Sequence, residues 1–363
     1  MSNLINAEFK QYITKLINST KNNIFVLNTH IEADLDDYSS LIAFLGYINQ
    51  LKEQNAVKIE THICLSGELD PNFVALTPSC DYFWHDKDLL AYKSYFQTSL
   101  VESHELHLAV FGCSDLRRAN GNPAIKFLLD QYSDPASLTT INFDHHINGE
   151  GWAEYNFVDD KLSSNAENLF EILKNAPNFT ISPEVATNLM IGLVDDTVSF
   201  FAQSTTATTH KHAGELLELG CDVGQVRQII NQKWTIENVD KLNNLLKITQ
   251  FLDISSLVWS KTGKPSDFAV VDCLSDSYVS GLFKNEILDI LKTEMVIMLK
   301  IGTGINDHKL SIRCLPGAKI NAIEIANHFG GAGHRLAAGA PVGSHDVNWL
   351  KTELVQFLKK SVI

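Results

Sequence analysis

Three short stretches carry the groups that could do chemistry. Thr29-His30-Ile31-Glu32-Ala33-Asp34-Leu35-Asp36 follows the apolar run IFVLN, and Asp144-His145-His146 follows LTTINF. GLVDDTVSF places Asp195 and Asp196 after an apolar helical pattern that begins at Ser182-Pro183. In open α/β sheets ligands bind beyond the carboxyl ends of the strands, so the residues just past each strand are read first. Carboxylates gathered at one point repel one another unless a cation neutralises them. A mixed nitrogen and oxygen donor set suits Mn²⁺ or a related divalent ion better than a thiolate zinc centre. A His-His pair alone is more often a solvated loop; the three stretches together, each at the end of an element, point to a metal site.

Bringing these stretches together requires strands that alternate with helices. Phe9, Ile13, Leu16 and Ile17 predict a helix over 6–18, IFVLN (24–28) a buried strand, and Leu41, Ile42, Leu45, Ile48 and Leu51 a helix over about 39–53. Further strands are expected over 57–64, 106–112 and 138–143, with a helix over 122–131 that Asn122 caps and Pro123 opens. The alternation predicts an α/β fold in which residues 1–205 form a mainly parallel sheet flanked by helices. From about 205 to 250 only helical patterns occur, among them HAGELLELG and VDKLNNLLKITQFL, which predicts a helical connector over 206–255. Beyond it DFAVVDC (267–273), MVIMLKI (295–301) and HKLSIRC (308–314) read as strands, and INAIEIANHFGG (320–331) reads as a helix ending in glycines. Residues 256–363 are therefore expected to form a second, smaller α/β domain. With 363 residues, 45% of them hydrophobic, the chain can fill two ordinary cores.

A formal net charge of −14 argues against a long duplex-DNA footprint, which needs a broad basic face. It leaves room for a small phosphorylated ligand held by a few arginines. The six cysteines are scattered with no C-x-x-C pair, so neither a disulfide framework nor a thiolate zinc site is indicated, and they read as reduced thiols in a cytoplasmic protein. MSNLINAEFKQYITKL lacks an apolar h-region, and no stretch approaches about 18 uninterrupted apolar residues, so neither secretion nor membrane insertion is expected.

Over most of its length the chain resembles the DHH phosphoesterases with a C-terminal DHHA1 domain, the branch that includes nano-RNases and 3′-phosphoadenosine-5′-phosphate phosphatases. His30, Asp34 and Asp36 match the first motif, His-x-x-x-Asp-x-Asp, with Ala33 where proline is usual. Asp144-His145-His146 matches the name-giving motif and is followed by SSNAE (163–167); Asp196-Thr197 matches the last motif of that domain. HFGGAGHRLAAGA (328–340) resembles the glycine-rich GGGGH…AAG signature, with Ala332 replacing one glycine. Glycines let a backbone approach a phosphate closely and present its amides. A helix C-cap explains one or two of Gly330, Gly331 and Gly333, but not three followed by His334. Arg313 corresponds to an arginine that helps hold substrate phosphate, a task for which a guanidinium fork is better shaped than a lysine.

The resemblance implies a Mn²⁺-dependent phosphodiesterase or phosphomonoesterase that hydrolyses short oligonucleotides (nano-RNA), 3′-phosphoadenosine-5′-phosphate, or both, with a metal-activated water. His30, Asp34, Asp36, His145 and Asp196 are the implied metal ligands. Asp144 orients a neighbouring histidine, and His146 faces the substrate as a hydrogen-bond or proton donor. Arg313, Gly330, Gly331, Gly333 and His334 are implied to hold the far phosphate and nucleoside in a cleft between domains, with Arg118 and Arg335 as further candidates. Two Mn²⁺ ions and a homodimer are implied as well.

One residue departs from the pattern. The resemblance places an Asp that bridges the two metals at the end of the strand over 106–112, where this chain has Gly112. Asp115 would need a tight turn to substitute, because three extended residues span about 10 Å; Glu32 and Asp37, in the first motif's loop, are the other carboxylates at hand. Three outcomes are open: two metals bridged by water, a single metal, or a catalytically silent nucleotide-binding regulator. Within the same chemistry the alternative is a cyclic-dinucleotide phosphodiesterase. The GGAGH stretch argues against a manganese inorganic pyrophosphatase, whose second domain is expected to be rich in lysine and arginine.

Overall fold

The computed structural model describes residues 2–30, 34–55, 58–65, 76–98, 104–113, 115–132, 134, 137–146, 151–177, 179–232, 234–262, 268–274, 288, 293–301 and 307–361. The chain divides into two compact units, Met1–Gln232 and Lys233–Ile363.

The first unit is built on a six-stranded sheet of β1 (Asn22–Thr29), β2 (Ile59–Leu65), β3 (Tyr82–His85), β4 (His104–Phe111), β5 (Thr139–Asp144) and β6 (Tyr155–Val158). The order is β3-β2-β1-β4-β5-β6, with every pairing parallel. Strand order reverses between β1 and β4, the place where an open parallel sheet leaves a crevice at its carboxyl edge. His30, Gly112 and Asp144 all stand at that edge. The central strands are buried on both faces: Phe25, Leu27 and Phe111 join one core cluster, while Ile24, Val26 and Val110 join the other. Double burial is why these strands read as unbroken apolar runs rather than alternating ones.

Helices cover both faces. α1 (Ser2–Ile17), α2 (Leu35–Asn55), α6 (Asn165–Leu173) and α7 (Pro183–Asp196) pack on one side; α3 (Leu89–Thr98), α4 (Leu116–Gly121) and α5 (Pro123–Gln131) pack on the other. α5 starts as expected, with the Asn122 side chain accepting from the amides of Ala124 and Ile125. α2 begins four residues before the expected 39–53. Asp34 caps it, its Oδ1 accepting from the Asp37 amide at 3.1 Å, and Asp36 and Asp37 sit in the first turn against the helix dipole.

The helical stretch expected as a connector over 206–255 falls in both units. α8 (Ala207–Glu218) and α9 (Val223–Asn231) lie in the first, α10 (Ile236–Ile248) in the second. The helix expected through VDKLNNLLKITQFL stops at Ile248, which corrects the expectation of helices only. Thr249 turns to ψ 135, and Gln250-Phe251-Leu252 pairs antiparallel with Val270, Ala269 and Phe268 as part of β7 (Gln250–Asp253). Phe251 and Leu252 enter different core clusters, the two-residue period of a strand.

The second unit is a mixed seven-stranded sheet of β7, β8 (Val258–Ser260), β9 (Phe268–Leu274), β10 (Met295–Ile301), β11 (His308–Cys314), β12 (Ala332–Gly333) and β13 (Ala337–Gly343), in the order β12-β13-β11-β10-β9-β7-β8. Only β9 and β10 run parallel among its described pairings. α11 (Ala322–His328) and α12 (Val347–Ser361) place Ile325, Leu350, Leu354 and Leu358 against one face, and α10 places Leu242 against the other. Among the described residues no helix is long and apolar enough to cross a membrane.

Candidate metal centre

Asp36 is 2% exposed, and both of its carboxylate oxygens are held by the first turn of α6. Oδ2 accepts from the Asn165 amide at 2.7 Å and Oδ1 from the Ala166 amide at 2.9 Å. The helix start therefore supplies two unsatisfied donors and a favourable dipole to a buried anion. Gly192 of α7 makes the room: a Cβ there would lie 2.4 Å from Ser39 Oγ, 2.6 Å from Asp36 Oδ1 and 2.7 Å from Ala166 Cβ.

His145 reaches the same point from the end of β5. Its Nε2 is 3.5 Å from Asp196 Oδ2 and 3.9 Å from Asp36 Oδ2. Asp36, His145 and Asp196 each offer a ligand atom, and these atoms lie within 4.8 Å of one another. Asp196 closes α7, after which Val198, Ser199 and Phe200 take φ values of 49, 57 and 70, a left-handed turn that side chains adopt at a cost of about 1–3 kcal/mol each.

Electrostatically the three ligand atoms resist their own charges. Burial, then Asp196, Asp34 and Asp37, push Asp36 well above the usual carboxylate range. Burial with Asp34 and Asp195 pushes Asp196 up to about 7, and burial with the neighbouring His146 lowers His145. A divalent cation reverses each of these costs, and two carboxylates with one imidazole form a donor set that fits one.

A second group assembles around His30, just past β1. His30 Nε2 is 2.9 Å from Asp37 Oδ2 and 2.9 Å from Arg118 Nη2. A donor and an acceptor thus converge on one ring nitrogen, which serves only one of them in a given tautomer. Asp34 links the two groups, since its charge is felt at Asp36, Asp37 and Asp196 alike.

Gly112 ends β4 with φ +70. A Cβ built there would lie 1.7 Å from Asp37 Oδ1, 2.1 Å from its Cγ and 2.3 Å from its Oδ2. The Asp37 carboxylate fills the space that a side chain at 112 would need. Asp115 makes no such turn: it caps α4, accepting from the amides of Arg117 and Arg118 at 2.7 and 3.0 Å, and pairs with the Arg117 guanidinium. Glu32 lies outside the described residues.

Asp144 is fully buried at the end of β5. Its Oδ1 accepts from the amides of His145 and His146 and from His146 Nδ1 at 2.6 Å; its Oδ2 has no hydrogen-bond partner among the described residues. Against the upward push of burial, the His146 ring and these amides hold Asp144 below the usual carboxylate range. The same contact raises His146.

The candidates of the second unit also fall together. Arg313 lies on β11 opposite Ala337 of β13, half-buried, with Nη1 donating to the Ile312 carbonyl at 3.2 Å; burial lowers its pKa. Gly330, at φ +73, closes α11, and the Gly331 amide donates to the Ala326 carbonyl at 2.8 Å. Gly331 and Gly333 let β12 lie close on β13, because a Cβ would come within 2.1 Å of the Gly339 carbonyl and 2.5 Å of Ala338 Cα, respectively. The helix cap thus accounts for the first glycine and strand contact for the other two. His334 is exposed, its amide donating to the Ala337 carbonyl at 2.7 Å, and the Arg335 carbonyl accepts from the Ala322 amide.

Sequence reasoning gave no role to Gly192 or to the α6 amides, and it left Asp37 and Arg118 as minor candidates. A glycine four residues before Asp196 in an apolar helix, and a second acidic residue beside Asp36, are the signals that mark them.

No protein-family profile matches the chain. The chain is 26% identical over 222 residues to the bifunctional oligoribonuclease and PAP phosphatase NrnA of Bacillus subtilis, a match covering 60% of this chain and 67% of the relative. It is 29% identical over 166 residues to an A-adding tRNA nucleotidyltransferase of Geobacter sulfurreducens, covering 45% of this chain but only 17% of that enzyme. In fold it is similar to an exopolyphosphatase-related protein from Bacteroides fragilis, with a TM-score of 0.70, 18% identity and coverage of 98% and 96% of the two chains. Taken with the His30–Asp36 loop and the Asp144-His145-His146 turn, the similarity to the Bacillus enzyme supports a DHH-type phosphoesterase.

Proposed function

We propose that this protein is a Mn²⁺-dependent phosphoesterase that hydrolyses short oligonucleotides, 3′-phosphoadenosine-5′-phosphate, or both. The observation that carries the reading is the convergence of Asp36, His145 and Asp196 within 4.8 Å at the carboxyl edge of a parallel sheet. The activities named for the Bacillus relative support the substrate class.

Asp36, His145 and Asp196, with His30 and Asp34, would hold the Mn²⁺ ions in this reading. A divalent ion there lowers the pKa of water and offsets charge on the phosphoryl oxygens. Asp144 accepts from His146 Nδ1 and so leaves Nε2 to face the substrate. The Asp144 contact favours a protonated His146 ring, which suits a hydrogen bond to a phosphoryl oxygen or a proton delivered to the leaving oxygen. Arg313 and the Gly330–His334 turn hold the far phosphate and nucleoside. By the same resemblance the protein acts in the cytoplasm as a homodimer, which sedimentation of the purified protein checks.

The test offers the protein, in Mn²⁺, a 5′-phosphorylated diribonucleotide, 3′-phosphoadenosine-5′-phosphate, and linear and cyclic dinucleotides. Preferred turnover of either of the first two supports the reading. Turnover confined to the cyclic dinucleotide replaces it with the phosphodiesterase alternative, and nucleotide binding without any hydrolysis replaces it with a silent regulator.

A further inference from the structure

We propose that Asp37 is a metal ligand, supplying from the first turn of α2 the carboxylate that the resemblance places at position 112. The inference rests on the metal-site reading above and is independent of the substrate.

The first support is steric. Three atoms of the Asp37 carboxylate lie 1.7 to 2.3 Å from where a Cβ at 112 would stand, so a side chain at 112 and Asp37 in its present place exclude one another. A glycine at 112 is what allows the carboxylate to arrive from the other side. Successive residues of a helix point about 100° apart. Asp36 therefore turns to the α6 amides while Asp37 turns across the sheet edge to the ends of β1 and β4, with its Oδ2 2.9 Å from His30 Nε2.

The second support is the burial of the carboxylates around it, which His146 and Arg118 offset only in part. Asp37 is 2% exposed and Asp144 fully buried, and each lies within the other's electrostatic reach. Asp144 Oδ2 has no hydrogen-bond partner among the described residues. Asp37 beside the His30 ring nitrogen, within electrostatic reach of a buried carboxylate that has an orphaned oxygen, forms a place that a cation satisfies. The competing role for Asp37 is to position His30 through a hydrogen bond alone, and the test separates the two.

Mn²⁺ bound per chain is measured by elemental analysis after equilibrium dialysis, and the ions are located in crystals by anomalous scattering at the manganese edge. The wild type is expected to hold two ions, one of them touching Asp37. Asp37→Asn keeps the size of the side chain and an acceptor for His30 but removes the charge; it is expected to hold one ion at the same free metal. Gly112→Asp combined with Asp37→Ser moves the carboxylate to the other strand and is expected to restore the second ion. Retention of two ions by Asp37→Asn, or a wild-type map in which Asp37 contacts no ion, overturns the proposal, and the map decides even where a variant fails to fold. Two ions with Asp37 bound but no hydrolysis of any substrate sinks the proposed function and leaves this inference standing; turnover without an Asp37 contact does the reverse.

Discussion

Asp144 Oδ1 stands 2.6 Å from His146 Nδ1 at the end of β5, and this one contact sets both the tautomer and the direction of the ring. Asp144 is fully buried, whereas the His146 side chain is 43% exposed, so a fixed anion steers a group that reaches outward. Asp144→Asn is expected to lower kcat by about 10- to 100-fold, the usual cost of losing a partner that orients a working histidine. Because the contact raises the His146 pKa, its loss moves the alkaline fall of the kcat profile to lower pH. An unchanged kcat profile for Asp144→Asn removes the positioning role.

At Gly192, α7 passes against the Asp36 carboxylate. An alanine in a helix is normally worth about 1 kcal/mol over glycine. Here the added methyl meets Ser39, Asp36 and Ala166 at 2.4 to 2.7 Å, all held by packed helices. Gly192→Ala is therefore expected to destabilise the protein by about 1–3 kcal/mol through overpacking and to weaken Mn²⁺ binding by displacing Asp36. Thermal melting and calorimetric titration check both effects.

A buried ion network braces the helix that holds Asp36. His212 of α8 contacts Glu167 through Nδ1 at 2.9 Å and Glu171 through Nε2 at 2.6 Å, both on α6. Burial alone would lower the His212 pKa, but the two glutamates raise it to about 9. The stability it adds is fully present below the unfolded value near 6.5 and is lost as pH rises through about 9. Urea unfolding should show that loss in the wild type between pH 6 and 9.5. His212→Ala should cost about 1–3 kcal/mol at pH 6, because it removes the charged donor from both glutamates while Glu171 keeps Lys174 and Glu167 keeps Ser163 and Thr209.

The ends of β1 and β4 were legible because double burial writes both strands as apolar runs; the end of β5, where Ile141 and Phe143 alternate with polar residues, was marked by Asp144-His145-His146 itself. The start of α2 was not, because Asp34, Asp36 and Asp37 interrupt the apolar period although they are its cap and first turn. β13 was missed because AAGAPVG holds a single branched residue, Val342, among alanines, glycines and a proline; its place is set by pairing with β11. Gly112 read only as a missing carboxylate. That Asp37 fills its space is a contact between the end of β4 and the start of α2, and no local pattern records it.

Metal binding should depend on pH with a definite sign. Asp196 lies at about 7 in the metal-free protein, raised by burial, Asp34 and Asp195. A raised carboxylate contributes stability that is present below the unfolded value near 3.8 and is lost as pH rises through about 7, so the metal-free protein should lose stability over that range. Mn²⁺ competes with the proton, so its affinity should fall by roughly tenfold per pH unit below about 7 for each proton displaced. Titrations at pH 5.5, 6.5 and 7.5 that give one affinity contradict this.

In the proposed reading Asp36, His145 and Asp196 form a working hydrolytic metal centre. Its most direct test is the rate of Mn²⁺-dependent hydrolysis of a 5′-phosphorylated diribonucleotide by the wild type and by His145→Ala. Turnover by the wild type and a loss of at least about 100-fold in the variant is expected, since a lost ligand should cost more than a lost supporting partner. Equal rates in the two proteins, or no turnover by a wild type that binds the nucleotide, would contradict it.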